Sequence, residues 1–463
     1  MGALALGIVA DDLSGAAECA SHALVRVPRS NVQLASLSTR PAATAPGTVG
    51  TVVTVDTDSR GLDAEHAARA VRAAAPLVAD ARVVVKKVDS LLRGNVAAEV
   101  AALAEHLHRV PVVAVANPAL DRVVRDGVLH VGGTPLHDTD LWVVERGPAP
   151  RRVADALHPL RVVLVSHATV LSGVEAVAVA LVDAYRTGLV AVCDALTEAD
   201  LDVVHAAAVS ASAAHGSGTL LVGSGALADA AVRALPDVRD SSPLGRPPEG
   251  HQRQTPAAGD TAYALRTGHC SSLLVVLGTR APGVPAQIAQ LEPLASETLL
   301  LAPDTVLDDP TGLQERLAAL AAAGVVLVAL DTAAPVDARR SRALTEALAA
   351  AVAPLLDRYD ATFLSGGESA RAVLDRLDVH SLDVIGEVET GTVVSRRPGG
   401  RLVVTRPGSY GDPASLVRVA EHVLGHCSPT ARSTAPTHTA PTHTAPTHTA
   451  TRATAGANTE ENS

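Results

Sequence analysis

The sequence predicts an α/β protein of two domains, each a mainly parallel sheet flanked by helices, with a cleft between them. Three observations carry this. Short Val-rich runs alternate with Ala-rich amphipathic stretches of helical length along most of the chain. That is the pattern of βαβ units whose strands are covered on both faces. The alternation stops in a segment rich in Pro, Gly and Arg, residues 236–271, and then resumes. At 463 residues the chain also exceeds one ordinary core.

The elements follow in order. Strands are expected at 3–9, 52–55, 83–88, 110–115, 162–165 and 220–222, because each is a short, nearly continuous apolar run. Between them, helices are expected at 64–79, 95–108, 174–185, 199–213 and 226–235. Residues 1–236 form the first domain, and 237–271 read as a linker. Residues 272–427 form the second domain. Its strands are expected at 273–277, 325–330 and 362–364, and its helices at 285–291, 313–323, 338–352, 369–377 and 413–424. Short strand-like runs broken by Gly and Pro occupy 382–405. Thr-Ala-Pro-Thr-His recurs three times over 434–448, so 428–463 read as a disordered low-complexity tail.

Composition excludes several classes. A net charge of -11 argues against nucleic acid and acidic membrane surfaces as partners. One Trp, four Tyr and one Phe are too few for a base-stacking platform. Four scattered Cys without CxxC spacing indicate neither zinc nor a disulfide framework. The longest apolar run, 317–330, is shorter than the ~20 residues of a membrane helix. With no basic leader before Asp11, a cytoplasmic protein is expected. The oligomeric state stays open, a homodimer included.

Chemistry is expected at strand ends, where open α/β sheets bind ligands. Asp11 and Asp12 follow the first strand, with Ser14 and Gly15 opening a helix. Two readings fit: ligand-binding carboxylates, or Asp12 or Ser14 as a helix cap. Lys87, Asp89, Ser90 and Arg93 follow the strand at 83–88. They suit an anionic polyol, with cations for a carboxylate and Asp for hydroxyl protons; a solvated loop with internal ion pairs also fits. Lys and Arg total 38, yet Lys86 and Lys87 are the only lysines. A compact ammonium in an Arg-rich chain points to a specific need at this strand end. Gly366, Gly367, Glu368 and Ser369 lie between a strand and a helix, as a phosphate cradle or a tight turn would. Thr279 after Gly278, and Gly408, lie in two further loops of that half. No GxxxxGK[ST] loop, protein-kinase set, GxSxG or HExxH is present.

The motifs Ile8–Ala16, Lys87–Asn95, Gly223–Ala228, Ser365–Ala370 and Arg406–Asp412, in this order, resemble the four-carbon acid sugar kinase family over roughly residues 3 to 424. The resemblance implies an N-terminal domain that holds an acid sugar and a C-terminal domain that holds ATP. It implies phosphorylation of a terminal hydroxyl of a tetronate or 3-oxo-tetronate, with Mg²⁺ on the nucleotide. Asp12, with Asp89 as second choice, would act on the hydroxyl. Asp11, Lys87, Ser90 and Arg93 would line the sugar site. Thr279, Gly366, Gly367, Glu368, Ser369 and Gly408 would line the nucleotide site. Ala281 and Val284 depart from the family pattern. They keep a non-catalytic acid-sugar-binding homologue as one alternative. The loop after Pro118, altered from the family pattern, keeps a kinase for another small hydroxy acid or polyol as a second, and Arg406 stands where the family pattern has a lysine.

Overall fold

In a computed structural model, the described residues are 4–35, 52–142, 145, 147–237, 270–333 and 340–425. Nearly all of the 237–271 segment and all of the 428–463 tail lie outside them. The strands are β1 (Leu6–Ala10), β2 (Ser30–Leu34), β3 (Val52–Asp56), β4 (Val83–Lys87), β5 (Pro111–Ala114), β6 (Arg122–Arg125), β7 (Val128–Val131), β8 (Thr134–Pro135) and β9 (Val162–Val165). They continue as β10 (Val190–Cys193), β11 (Thr219–Gly223), β12 (Ser272–Leu277), β13 (Ala295–Leu301), β14 (Gly324–Leu330), β15 (Ala361–Ser365), β16 (Ser381–Glu389), β17 (Thr392–Arg396) and β18 (Leu402–Arg406). The Val-rich strands expected from the sequence are all present. Additional strands are β2, β6, β7, β8, β10 and β13.

The two halves do not keep separate sheets. A single sheet runs β13-β14-β12-β15-β18-β17-β16-β2-β3-β1-β4-β11-β5-β10-β9, mostly parallel. It is joined where β16 of the second half pairs antiparallel with β2 of the first. β6, β7 and β8 form a small separate antiparallel sheet. Buried Val and Leu on both faces of the central strands explain why they read as continuous apolar runs.

The helix Leu13–Ala23 also links the halves. It is built from small residues and is buried nearly all round. Its Leu13, Ala16, Ala17 and Ala20 belong to one buried cluster with Val373 and Val403 of the second half. Its Cys19 and Ala23 belong to another with Ala228 and Val232 of the first. A fully buried ion pair adds to this joint: Arg371 Nη1 lies 2.7 Å from Asp56 Oδ2 at the end of β3. No helix among the described residues is long and apolar enough to cross a membrane.

Candidate active site

Register brings the predicted residues together. Ala10 at the end of β1 lies level with Asp56 of β3 and Lys87 of β4, and Gly223 of β11 is level with Lys87. Everything that follows these strands therefore emerges at one sheet edge, at the point where the strand order reverses around β1. Asp11 accepts a two-pronged contact from Arg60, Nε to Oδ2 at 2.8 Å and Nη2 to Oδ1 at 2.9 Å. Asp12 caps the helix Leu13–Ala23, its Oδ1 accepting from Gly15 N at 3.2 Å and from Arg60 Nη2 at 2.8 Å. Its Oδ2 has no hydrogen-bond partner among the described residues, so the cap and an open carboxylate oxygen coexist in one side chain. Arg93 forks onto Asp89 at 2.8 and 2.7 Å. Ser90 Oγ accepts from Arg122. The Lys87 ammonium has no hydrogen bond among the described residues, and Asp12 Oδ1 lies 3.7 Å from it. A Cβ on Gly15 would overlap that ammonium, so a glycine in the first helical turn makes room for it.

The charges in this cluster are fixed. Burial pushes Asp11 up, but Arg60, Lys86 and Lys87 outweigh it and hold the carboxyl below its ordinary range. Burial also acts on Asp89, and the Arg93 fork with the Arg60 charge holds it far below. Burial pushes Lys87 down, and Asp12 and Asp11 more than reverse this. At neutral pH Lys87 is an ammonium without a matched partner.

The second half repeats the edge arrangement with other chemistry. Leu277, Ser365 and Arg406 end β12, β15 and β18 level with one another. A Cβ on Gly278 would overlap Ser369 Oγ, and one on Gly408 would lie 2.7 Å from Thr279 Oγ1. Gly366 has φ +97°, which only glycine adopts without strain. Thr279, Ser369 and Gly408 thus converge beside the N-terminus of the helix Gly367–Arg376, a setting that favours phosphate. The two predicted sets meet here. A Cβ on Gly367 would lie 3.1 Å from Asp12 Oδ2 and 3.0 Å from Ser14 Oγ. Glu368 faces the loop after β3, with Oε1 3.6 Å from a Cβ placed on Gly61. Among the described residues no three His, Cys, Asp or Glu are grouped to hold a metal.

Known proteins match along this division. A sugar-binding N-terminal domain model matches residues 6–231, and a nucleotide-binding C-terminal domain model matches residues 274–416. The D-threonate kinase of Cupriavidus necator is 32% identical over 441 residues, 92% of this chain and 99% of that protein. The chain belongs to the four-carbon acid sugar kinase family. The 3-oxo-tetronate kinase of Methylobacterium radiotolerans is 30% identical over 437 residues, covering 88% of this chain and 96% of its own. The fold of a Haemophilus influenzae protein of the DUF1537 family is shared at TM-score 0.62 and 17% identity, over 90% of this chain and all of that one.

Sequence reasoning missed Arg60 in this family member. Its guanidinium touches Asp11 and Asp12 and lies 4.0 Å from Asp89, making it the hub of the cluster. A signal was available: residues 56–61, Asp-Thr-Asp-Ser-Arg-Gly, form a polar run directly after a Val-rich strand. Arg406, aligned by the resemblance with a lysine of the family pattern, is wholly buried away from solvent. It donates to Gln287 Oε1 at 2.8 Å and to Ser415 Oγ at 2.5 Å, over the Phe363 ring. Gln287 Nε2 in turn donates to the carbonyls of Tyr410 and Gly411, at 3.2 and 2.8 Å. Arg406 and Gln287 therefore brace the Gly408 loop from behind. Burial pushes Arg406 down to about 10, against the pull of Glu389. Phe363 is buried beneath Arg406, which leaves Tyr410 as the ring on these loops.

Proposed function

We propose that the protein is an ATP-dependent kinase that phosphorylates a terminal hydroxyl of a four-carbon acid sugar, a tetronate or 3-oxo-tetronate. Residues 1–236 serve as the acid-sugar domain and 272–427 as the nucleotide domain. One observation carries the assignment of roles: of the three carboxylates in the cluster, Asp12 alone keeps an oxygen without a hydrogen bond, and that oxygen faces Gly367 of the other half. Asp11 and Asp89 are each engaged by an arginine fork.

The sugar carboxylate binds the unmatched Lys87 ammonium and the outer edge of Arg93, with Ser90 and Asp11 completing the pocket wall. Asp12 takes the proton of the reacting hydroxyl. The hydroxyl oxygen forms a bond to the γ-phosphorus while the bond from that phosphorus to the β–γ bridging oxygen breaks, and ADP leaves with the electron pair. Thr279, Gly366, Gly367, Glu368, Ser369 and Gly408 hold the phosphates. Mg²⁺ fits a site with no protein cage, since it is ordinarily held by phosphates, waters and one or two carboxylates. Asp12 and Glu368 are the carboxylates available to it. When bound it would offset the negative charge of the phosphates.

An ATP-consumption screen over D-threonate, D-erythronate, their epimers and 3-oxo-tetronates tests the reading. Turnover with at least one is expected, and none with any of them would end it.

A further inference from the structure

The kinase reading uses Lys87 and leaves the other lysine without a role. We propose that Lys86 is a positioning residue for acid-sugar binding: from the opposite face of the sheet it fixes the end of β4, from which the loop carrying Asp89 and Arg93 departs. This rests on the proposed sugar site.

Side chains alternate along a strand. Lys87 projects beside the helix Leu13–Ala23, next to Gly15, and so Lys86 projects to the other face, under the helix Val96–Leu107. There it is wholly buried, with Nζ 2.8 Å from Glu99 Oε2, itself buried. The same ammonium donates to the Lys87 carbonyl at 3.1 Å. That carbonyl belongs to the peptide from which the 88–93 loop departs. One buried cation thus ties the backbone that carries Lys87 and Asp89 to a helix on the far side. After Arg60, Lys86 is the cation with the strongest hold on Asp11, and Asp11 in turn orients Arg60. The need for a narrow ammonium with two acceptors in a closed interior also explains a lysine here: a guanidinium is wider and carries more donors than this space satisfies.

Removing one member of a buried pair leaves the other stranded, so the test removes both. Lys86→Met combined with Glu99→Leu keeps apolar volume without a buried charge. Melting checks its fold, calorimetry with D-threonate measures binding, and steady-state kinetics gives KM for each substrate. The Kd and KM for the acid are expected to rise at least tenfold, with KM for ATP within twofold of wild type. A structural role alone would reduce the active fraction and leave both KM values in place. Glu99→Gln, which keeps the ammonium and an acceptor for it, is expected to hold acid binding within threefold.

A folded double variant with wild-type acid affinity would overturn the proposal. A tenfold loss in folded Glu99→Gln would overturn it too, by moving the role to the carboxylate. Absence of binding of any four-carbon acid to the wild-type protein would instead remove the sugar site, and this inference with it.

Discussion

The two halves end their strands at comparable sheet edges and furnish them with different chemistry. After β3, β1 and β4 the first half places Arg60, Asp11, Asp12, Lys87, Asp89 and Arg93, a lattice of charges held by one another. After β12, β15 and β18 the second half places Gly278, Thr279, Gly366, Gly367, Ser369 and Gly408, and its buried Arg406 is turned to bracing. A small polyhydroxy acid needs fixed charges and acceptors. A triphosphate needs backbone donors and close approach. Each edge should therefore fail under its own kind of substitution: loss of charge on one side, gain of a methyl group on the other.

The largest effect is expected from Asp12→Asn. Asn caps helices as well as Asp does, so the melting temperature should hold. Loss of the proton acceptor should lower kcat about 10²- to 10⁴-fold. Near-wild-type kcat in the folded variant would move the role to Asp89 or remove it from this edge.

Next comes the joint between the edges. Arg371→Met strands the buried Asp56 carboxylate at the end of β3, which should cost about 3–5 kcal/mol in urea unfolding. Adding Asp56→Leu should recover most of that. If the single variant lost under about 1 kcal/mol, the charged joint would contribute no more than a surface pair.

The second half is tested by Gly408→Ala. The new Cβ would meet Thr279 Oγ1 at 2.7 Å. Overpacking of this kind costs about 1–3 kcal/mol. KM for ATP should rise roughly tenfold, the equivalent of about 1.4 kcal/mol, while KM for the acid stays put. A rise in the acid KM instead would mean that the division of labour between the halves is wrong.

Much of both edges was legible because a parallel strand buried on both faces leaves a mainly apolar run that ends abruptly in polar residues. Val83–Lys87 and Ala361–Ser365 are of this kind. The join was not legible. β2 is Ser-Asn-Val-Gln-Leu, with Ser30 and Gln33 buried because it lies between β3 and β16. No apolar pattern marks a strand whose polar residues are covered by the other half of the chain. The outer strand β13 is partly exposed along its length and gives a similarly weak signal. Arg60 escaped notice for a different reason: it is 49 positions from Asp11, and only the level ends of β1 and β3 bring the two together. Arg406 was legible as a charge, but position in a motif does not say which way a side chain turns, and its bracing of the Gly408 loop appears only in the fold.

The smallest expected effect concerns a charged contact that straddles the division. His22 Nδ1 lies 2.6 Å from Asp229 Oδ1 of the first half, and Nε2 lies 3.6 Å from Glu387 Oε2 of the second. Glu18, on the same helix, adds a further carboxyl nearby. Burial pushes the imidazole down, but the hydrogen-bonded Asp229 carboxylate and the nearby Glu387 outweigh it and raise it to about 11. The unfolded value is about 6.5. Folding therefore favours the protonated ring. Its stabilisation is complete below about pH 6.5 and declines as pH rises toward about 11. Because the ring is partly exposed, about 1 kcal/mol is the scale to expect. The gap in unfolding free energy between wild type and His22→Gln should be flat in mild acid and close steadily as the solution is made alkaline. A gap that stayed constant across that range would mean that the pair does not hold the proton. The contact between the halves at this point would then owe nothing to charge.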